Sequence, residues 1–460
     1  MGIQAEPHRG GLRVQIFDKD RAMEALATTV DRTELGEALH RLIVELYPIC
    51  RSITGNGVRE TLGILHRIIP MEIREVPTGT PVFDWTVPKE WNIRDAYVKN
   101  AAGERIIDFK RSNLHVVNYS IPIRTTLSLE ELTPHLHSLP EWPEWIPHKT
   151  SYYKEDWGFC LSHNQLSQLE SGQYEVCIDS TLQNGHLTYG ECYLSGELPD
   201  EILISCHVCH PSLCNDNLSG IAVATYLAKL LAGQKRRYSY RFLFIPGQIG
   251  SITWLALNES QVDRVKHGLV LVGVGDQGQV TYKQSRQGSA EIDRAVGQVL
   301  KDSGEPYHIK GFVPYGYDER QYCSQGFDLP VGCLMRTPHG QFPEYHTSAD
   351  NLDFVRPSAL ADSLIKCLSI MYILEHNRRY QNLNPKCEPR LGTRGLYRTS
   401  GGHPGNKTIG ALPVLWVLNW SDGQHSLLDI AEKSGLPFSD VKQAADALEA
   451  CKLLQERLSV

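Results

Sequence analysis

The sequence predicts an α/β protein: a mostly parallel sheet covered by helices on both faces, with a β-rich inserted domain and a C-terminal winged-helix module. Three observations predict it. From Glu201 onward, short apolar runs alternate with amphipathic stretches in a βα rhythm. Between about Val76 and Gly190 that rhythm gives way to short β-rich runs broken by proline and tryptophan clusters such as LPEWPEWIP. Beyond about residue 404, two short helical patterns around a glycine turn precede a longer one, the helix-turn-helix order. At 460 residues the chain is also too long for one ordinary core. The expected units are 30–80 with 190–385 (the α/β domain), 81–189 (the inserted domain) and 386–460 (the winged helix).

The elements follow in order. Residues 33–69 carry apolar positions at helical spacing on either side of TGNG, so two amphipathic helices joined by a turn are expected. In the inserted region the runs ERIIDF, LHVVNYSI, YEVCIDSTL and HLTYGECYL read as strands. EILISC is then a strand, followed by a polar loop and a helix from Ser219. YRFLFIP leads into the helix SITWLALNESQ, and GLVLVGV, SAEIDRAVGQVLKDSG, LPVGCLM and PSALADSLIKCLSIMYILEHN continue the alternation. Strands alternating with helices imply a parallel sheet buried on both faces, with ligands bound beyond the carboxyl ends of its strands.

Composition narrows the partners. A net charge of −7 opposes a nucleic-acid role, because phosphate binding needs a basic face. In the last unit Lys442, Gln443 and Lys452 are a thin supply of base-reading groups, opposed by Asp440, Asp446 and Glu449, so protein contact or packing is expected there. The apolar runs RFLFIP and HGLVLVGVG fall short of a membrane span of ~20 residues. The first 24 residues show no apolar core of a secretory signal, and the 12 cysteines are read as reduced cytoplasmic thiols. Homo-oligomerisation stays open.

The densest chemistry lies in CHVCHPSLCNDN, residues 206–217. Read literally, Cys206 to His210 is C-x-x-C-H, a haem-attachment pattern, but that chemistry requires export. A zinc knuckle needs a second Cys/His pair close by, and only Cys214 follows. The third reading, a metallohydrolase loop, needs distant partners, and later loops hold them. Asp276 follows one strand; Glu344, His346 and Asp350 follow another; Asp318, Glu319 and Arg320 lie between. His207 or His210, Asp216, Asp276 and His346 thus all fall just past strand ends, and carboxylates with neutral imidazoles are zinc-hydrolase ligand types. Each has a plainer reading: Asp216 as a helix cap, Asp276 as a turn residue, His346 as a packed histidine.

The motifs CHPSLCNDNLSG, IGSITWL, VGDQGQVTYKQSRQGSAEIDRA, DERQYCSQGFDLPVG and PEYHTSADNLD resemble an aminopeptidase-like family found in bacterial surface-polysaccharide and specialised-metabolite gene clusters. RSITGNGVRETL, VFDWTVPKEWNIRDAY, NLHVVNYSIP, TSYYKEDWGFCLS and LGTRGLY extend the resemblance over nearly the whole chain. It implies a fold related to the co-catalytic zinc aminopeptidases. Carried over by position, the first histidine ligand falls on His207, while the C-H-P-S motif draws attention to His210, which is slightly favoured. Asp216 takes the bridging place, Asp276 and His346 are further ligands, and Asp350 would orient His346. Cys206, Cys209 and Cys214 are expected to pack around the site.

One departure matters. Zinc aminopeptidases carry a Glu-Glu pair where this chain has Gly247 and Gln248. One zinc is therefore expected rather than two, with Glu319 or Glu344 left as the candidate catalytic base. Arg320, Tyr282 or Lys283 would hold a substrate carboxylate. The leading expectation is a zinc-dependent amide or peptide hydrolase of aminopeptidase type acting on a small aminoacyl or peptidyl biosynthetic substrate. A non-catalytic binding or scaffold protein and a metal-assisted acyl-transfer enzyme stand beside it.

Overall fold

The computed structural model describes residues 31–396 and 410–457. The N-terminal stretch read for a secretory signal lies outside the described residues, as do Tyr397 of LGTRGLY and residues 404–409 of the expected winged helix.

Alternation along the strands builds the main body. Ile202, Ile204 and Cys206 enter one apolar cluster and Leu203 the other; Phe242 and Phe244 enter the first, Leu243 and Ile245 the second. A sheet with two buried faces results. Its eight strands lie in the spatial order Glu72–Pro77, His186–Leu194, Ser239–Ile245, Glu201–His207, Val265–Leu271, Val331–Met335, Val280–Lys283 and Tyr307–Lys310. The middle four run parallel, so their carboxyl ends share one edge, where His207 pairs with Ile245 and Leu271 with Leu334. The strands Val280–Lys283 and Tyr307–Lys310 are additions to the elements read from the sequence.

On one face lie the helices Arg32–Leu46, Gly220–Ala232, Glu291–Ser303 and Pro357–His376. The first begins where the Asp31 carboxylate accepts the N–H groups of Thr33 and Glu34, and it buries Leu35, Leu39, Leu42, Ile43 and Leu46 along one stripe. The helix expected after TGNG spans Asn56–His66. Pro357–His376 is long and apolar enough by composition to cross a membrane, which the short strand runs did not foreshadow. Seventy-two per cent of its apolar window is buried inside the protein, where it serves as the central core helix. The opposite face is covered by Ile249–Asn258 and by Val82, Val87, Trp91 and Tyr119 of the inserted region.

The chain leaves the large sheet at Pro77 and rejoins it at His186, and these two residues are direct partners in an antiparallel pair. Between them stands a four-stranded antiparallel sheet in the order Arg105–Asp108, Glu90–Lys99, Gln173–Gln183, Ile123–Ser128, with its own core around Val98, Phe159 and Val176. His186–Leu194 belongs to the large sheet, so the body resumes a few residues before 190.

Among the described residues the C-terminal unit has three α-helices, Ala411–Trp420, Leu427–Ser434 and Phe438–Ala450, and a three-stranded sheet. The middle strand, Arg379–Asn382, pairs with Asp422–Ser426 and Leu454–Arg457, so the unit begins ahead of residue 386. Its buried Val417, Leu428, Phe438 and Val441 join the same cluster as the main body.

Candidate metal centre

Strand Glu201–His207 ends in a buried histidine, and the loop after it turns back through Cys214–Ser219 before the helix Gly220–Ala232. The Asp216 carboxylate, 1% exposed, is the hub. Its Oδ1 lies 2.8 Å from His207 Nε2 and its Oδ2 lies 2.9 Å from His346 Nε2 and 3.8 Å from His210 Nε2. His207, His210 and Asp216 offer ligand atoms within 4.8 Å of one another. The capping role goes elsewhere: the Gly220 N–H donates to Asn217 Oδ1. His346 is no ordinary packed residue either. It has φ of 56°, a left-handed conformation rare for non-glycine residues and concentrated at functional sites.

The loop is held by Asp350, whose carboxylate accepts the N–H groups of Asn215 at 2.6 Å and Asp216 at 2.9 Å. This corrects the expectation that Asp350 orients His346: it anchors the backbone beneath Asp216. Asp276 is also corrected. Its oxygens accept from Asn215 Nδ2, Gly278 N–H, and the N–H and Oγ1 of Thr337, so it is a turn residue buttressing the loop from one step away.

The remaining expected residues divide. Tyr282 is fully buried, its hydroxyl donates to Asp293 at 2.8 Å, and its ring packs against Gly332, leaving nothing to offer a substrate. Lys283 pairs with Glu319 and donates to the carbonyls of Val313 and Tyr315, pinning the 313–319 loop. Glu319 is thereby a buried counter-ion through Oε1, while its Oε2 is buried without a partner; the Lys283 cation beside it disfavours proton uptake. Glu344 enters through its carbonyl oxygen, which accepts from Thr347. Arg320 keeps a buried Nε without a partner.

Of three further residues near the site, two were missed and one, Asp318, was named without a role. Tyr317 stacks on His207 with centroids 5.5 Å apart. Asp318 accepts from the Gln248 N–H and from Ser251 Oγ through Oδ1, while its buried Oδ2 has no partner. A carboxylate thus reaches the Gly247–Gln248 turn from a different loop; its place in YDER was visible, its direction was not. The third is His148, from the inserted domain, with ring centroids 5.2 Å from His346 and 5.3 Å from His210. Only its being a histidine beside a tryptophan-rich loop marked it.

Electrostatics suit a cation. Burial drives the imidazole of His210 well below its usual range, and burial with His346 beside it takes His148 down to about 3, so both are neutral lone-pair donors at pH 7. Burial alone would raise Asp216; the neighbouring His210 and His207 outweigh it and hold the carboxyl well below the usual range. His207 is raised, because Asp216 overcomes the effect of its burial. One carboxylate beside the neutral imidazoles of His210 and His148 is a nitrogen/oxygen donor set that zinc accepts. Cys209 is a different case: burial pushes its thiol up to about 12, and its sulfur accepts the Gly247 N–H. Neutral thiols do not ligate well.

A profile described as a domain of unknown function, DUF4910, matches residues 40–377, and a winged helix-turn-helix profile matches 378–456. A Clostridium acetobutylicum protein, named for polysaccharide biosynthesis and an aminopeptidase-like domain, is 55% identical over 92% of this chain and 97% of its own. The chain belongs to this aminopeptidase-like family. A crystal structure from the same organism, of a protein named as a peptidase, superposes on this family member with TM-score 0.90 and 52% identity, covering 95% of this chain and all of that one. The zinc aminopeptidase BSAP of Bacillus subtilis shares the fold at TM-score 0.55 and 11% identity, over 74% of this chain and 95% of its own. A peptidase M28 precursor of Shewanella amazonensis does so at 0.51 and 14%, over 78% and 96%. The aminopeptidase-like chain therefore has the architecture of a peptidase-type hydrolase.

Proposed function

We propose that this aminopeptidase-like protein is a zinc-dependent amide hydrolase that releases an aminoacyl or peptidyl group from a small biosynthetic substrate. The observation that carries this reading is the Asp216 carboxylate, buried and joined through both oxygens to imidazoles brought from loops 130 residues apart. His210, His346 and Asp216 would hold the ion, with His207 on the other oxygen of the carboxylate, and the ion when bound would supply Lewis acidity to a carbonyl and acidity to water. The chain's own residues do the rest. Asp216 fixes the imidazole edges, and Tyr317 and Tyr345 stack on His207 and His346 to lock their planes. Asp318 is the carboxylate we assign to proton transfer in place of the missing glutamates, because it reaches the Gly247–Gln248 turn with one oxygen held by Gln248 and Ser251 and the other free, and unlike Glu319 it has no lysine on it. Arg320 would meet a substrate carboxylate; Tyr282 and Lys283 take no part.

The family relative's name supports a biosynthetic setting, and twelve cysteines all free suit a cytoplasmic one. The winged helix we assign to packing rather than nucleic acid, since Asp440, Asp446 and Glu449 are exposed on its last helix. The absent Glu-Glu pair favours a second reading, a binding protein on a peptidase scaffold. Metal analysis and a panel of aminoacyl amides separate the two. Zinc near one per chain with turnover of at least one amide is expected; zinc without any turnover would select the binder, and less than about a tenth of a zinc per chain, below any real site, would end both metal readings.

A further inference from the structure

The inserted domain carries a residue that no zinc-aminopeptidase pattern supplies. His148 is 8% exposed, yet its Nε2 has no hydrogen-bond partner. A buried imidazole nitrogen left unpaired is costly unless something beyond the protein meets it. The backbone that carries the ring is held firmly in place. Its N–H of the main chain donates to the His346 carbonyl at 2.7 Å, Pro147 bridges to Thr347, and Ile146 and Ser348 exchange two further bonds. The two strands of chain therefore deliver His148 and His346 as a fixed pair.

Ring positions match those of imidazoles around one ion. His148, His210 and His346 form a nearly equilateral triangle with centroid separations of 5.3, 5.2 and 5.1 Å and ring planes 44–84° apart. Imidazoles sharing one tetrahedral zinc, with Zn–N bonds of about 2.0–2.1 Å and ring centres about 1.1 Å farther out, have centres about 5.1 Å apart. Ligand atoms on such an ion stand about 3.4 Å from one another. Asp216 Oδ2 lies 2.9 Å from His346 Nε2 and 3.8 Å from His210 Nε2, on either side of that value.

We infer that His148 of the inserted domain is a direct metal ligand, and that the ion is held by His148, His210, His346 and Asp216 Oδ2. His207, bonded to Oδ1 and stacked on Tyr317, then positions the carboxylate instead of binding the ion. This rests on the metal reading proposed above and adds to it the chain segment that completes the site. The excursion 78–185 is thus part of the centre, in addition to covering the sheet.

The test uses the full chain, stripped with chelator and reloaded with zinc or cobalt(II). Wild type is expected to bind one zinc, with X-ray absorption fitting three imidazoles. His148→Gln should weaken zinc at least 100-fold against a competing chelator dye, more than the loss of an outer-shell partner. It should also alter the cobalt(II) visible spectrum, while the metal-free variant keeps the circular dichroism of wild type. Unchanged affinity and spectrum in His148→Gln would overturn the inference and leave the metal reading standing. No zinc on wild type would remove both. Should the variant misfold, a zinc-edge anomalous map of wild type decides: a peak within about 2.3 Å of His148 Nε2 supports the ligand, and one beyond about 3 Å refutes it.

Discussion

Asp216 gives each of its oxygens to a different imidazole, so its removal should free His207, His210 and His346 at once. Asp216→Ala is expected to reduce zinc on the purified chain to below a tenth per molecule, measured by mass spectrometry of the metal. Cys209→Ser should keep its zinc, because Cys209 is a neutral acceptor for the Gly247 N–H. Loss of zinc in Cys209→Ser together with its retention in Asp216→Ala would reverse the assignment and restore the knuckle reading. Asp318→Asn should lower kcat on a cleaved amide by roughly 100-fold or more with zinc content unchanged, whereas Glu344→Gln should leave kcat within a few fold. His207, His210, Asp216 and His346 were legible because each stands just past a strand end, where the fold class puts ligands. Asp276 stands there too, but its turn geometry absorbs every lone pair it has, and spacing carries no record of side-chain direction. His148 had no such context, since it reaches the site from a different domain.

Elements were legible in proportion to their apolar content. Glu201–His207 and Ser239–Ile245 are almost wholly buried and read as strands at sight, whereas Val280–Lys283 and Tyr307–Lys310, with lysine ends and the second lying on the sheet edge, read as loop. The misassignment of Tyr282 follows from that omission, because a strand residue points into a core where a loop residue would face the cleft. Its ring lies so close to the Val331–Met335 strand that a Cβ at Gly332 would stand 2.0 Å from the hydroxyl. Gly332→Ala is expected to destabilise the protein by about 1–3 kcal/mol in urea unfolding. The end of the core helix makes a pH prediction. Burial takes His376 down to about 4, so the folded state keeps it neutral while the unfolded chain protonates it below about 6.5. Its contribution is present at pH 7 and is lost as pH falls from about 6.5 towards 4. His376→Gln should flatten the stability profile in that window by up to about 1.4 kcal/mol per pH unit, read from urea midpoints at pH 6.5 and 4.5.

One apolar cluster runs from Leu35 in the first described helix to Leu454 in the last strand, so the body and the winged helix share a core. Arg294 on the Glu291–Ser303 helix reaches Asp429 and Glu432 across the junction, and Phe438 donates its N–H to Asp302. A single cooperative unfolding transition is expected by calorimetry, and a chain ending at 385 should aggregate because it uncovers Tyr372, which packs on Phe438. Arg294→Ala, a partly exposed ion pair, should cost no more than about 1 kcal/mol. The inserted domain is joined differently. Because Pro77 and His186 already face each other, the excursion departs from a place where a tight hairpin would serve equally well. Lengthening that hairpin from about four residues to more than a hundred adds only about 3 kcal/mol of closure entropy, which a self-supporting β core can offset. An excursion of this kind leaves the large sheet in register, so an electron-pair donor can be offered to the pocket at its edge without any strand having to shift.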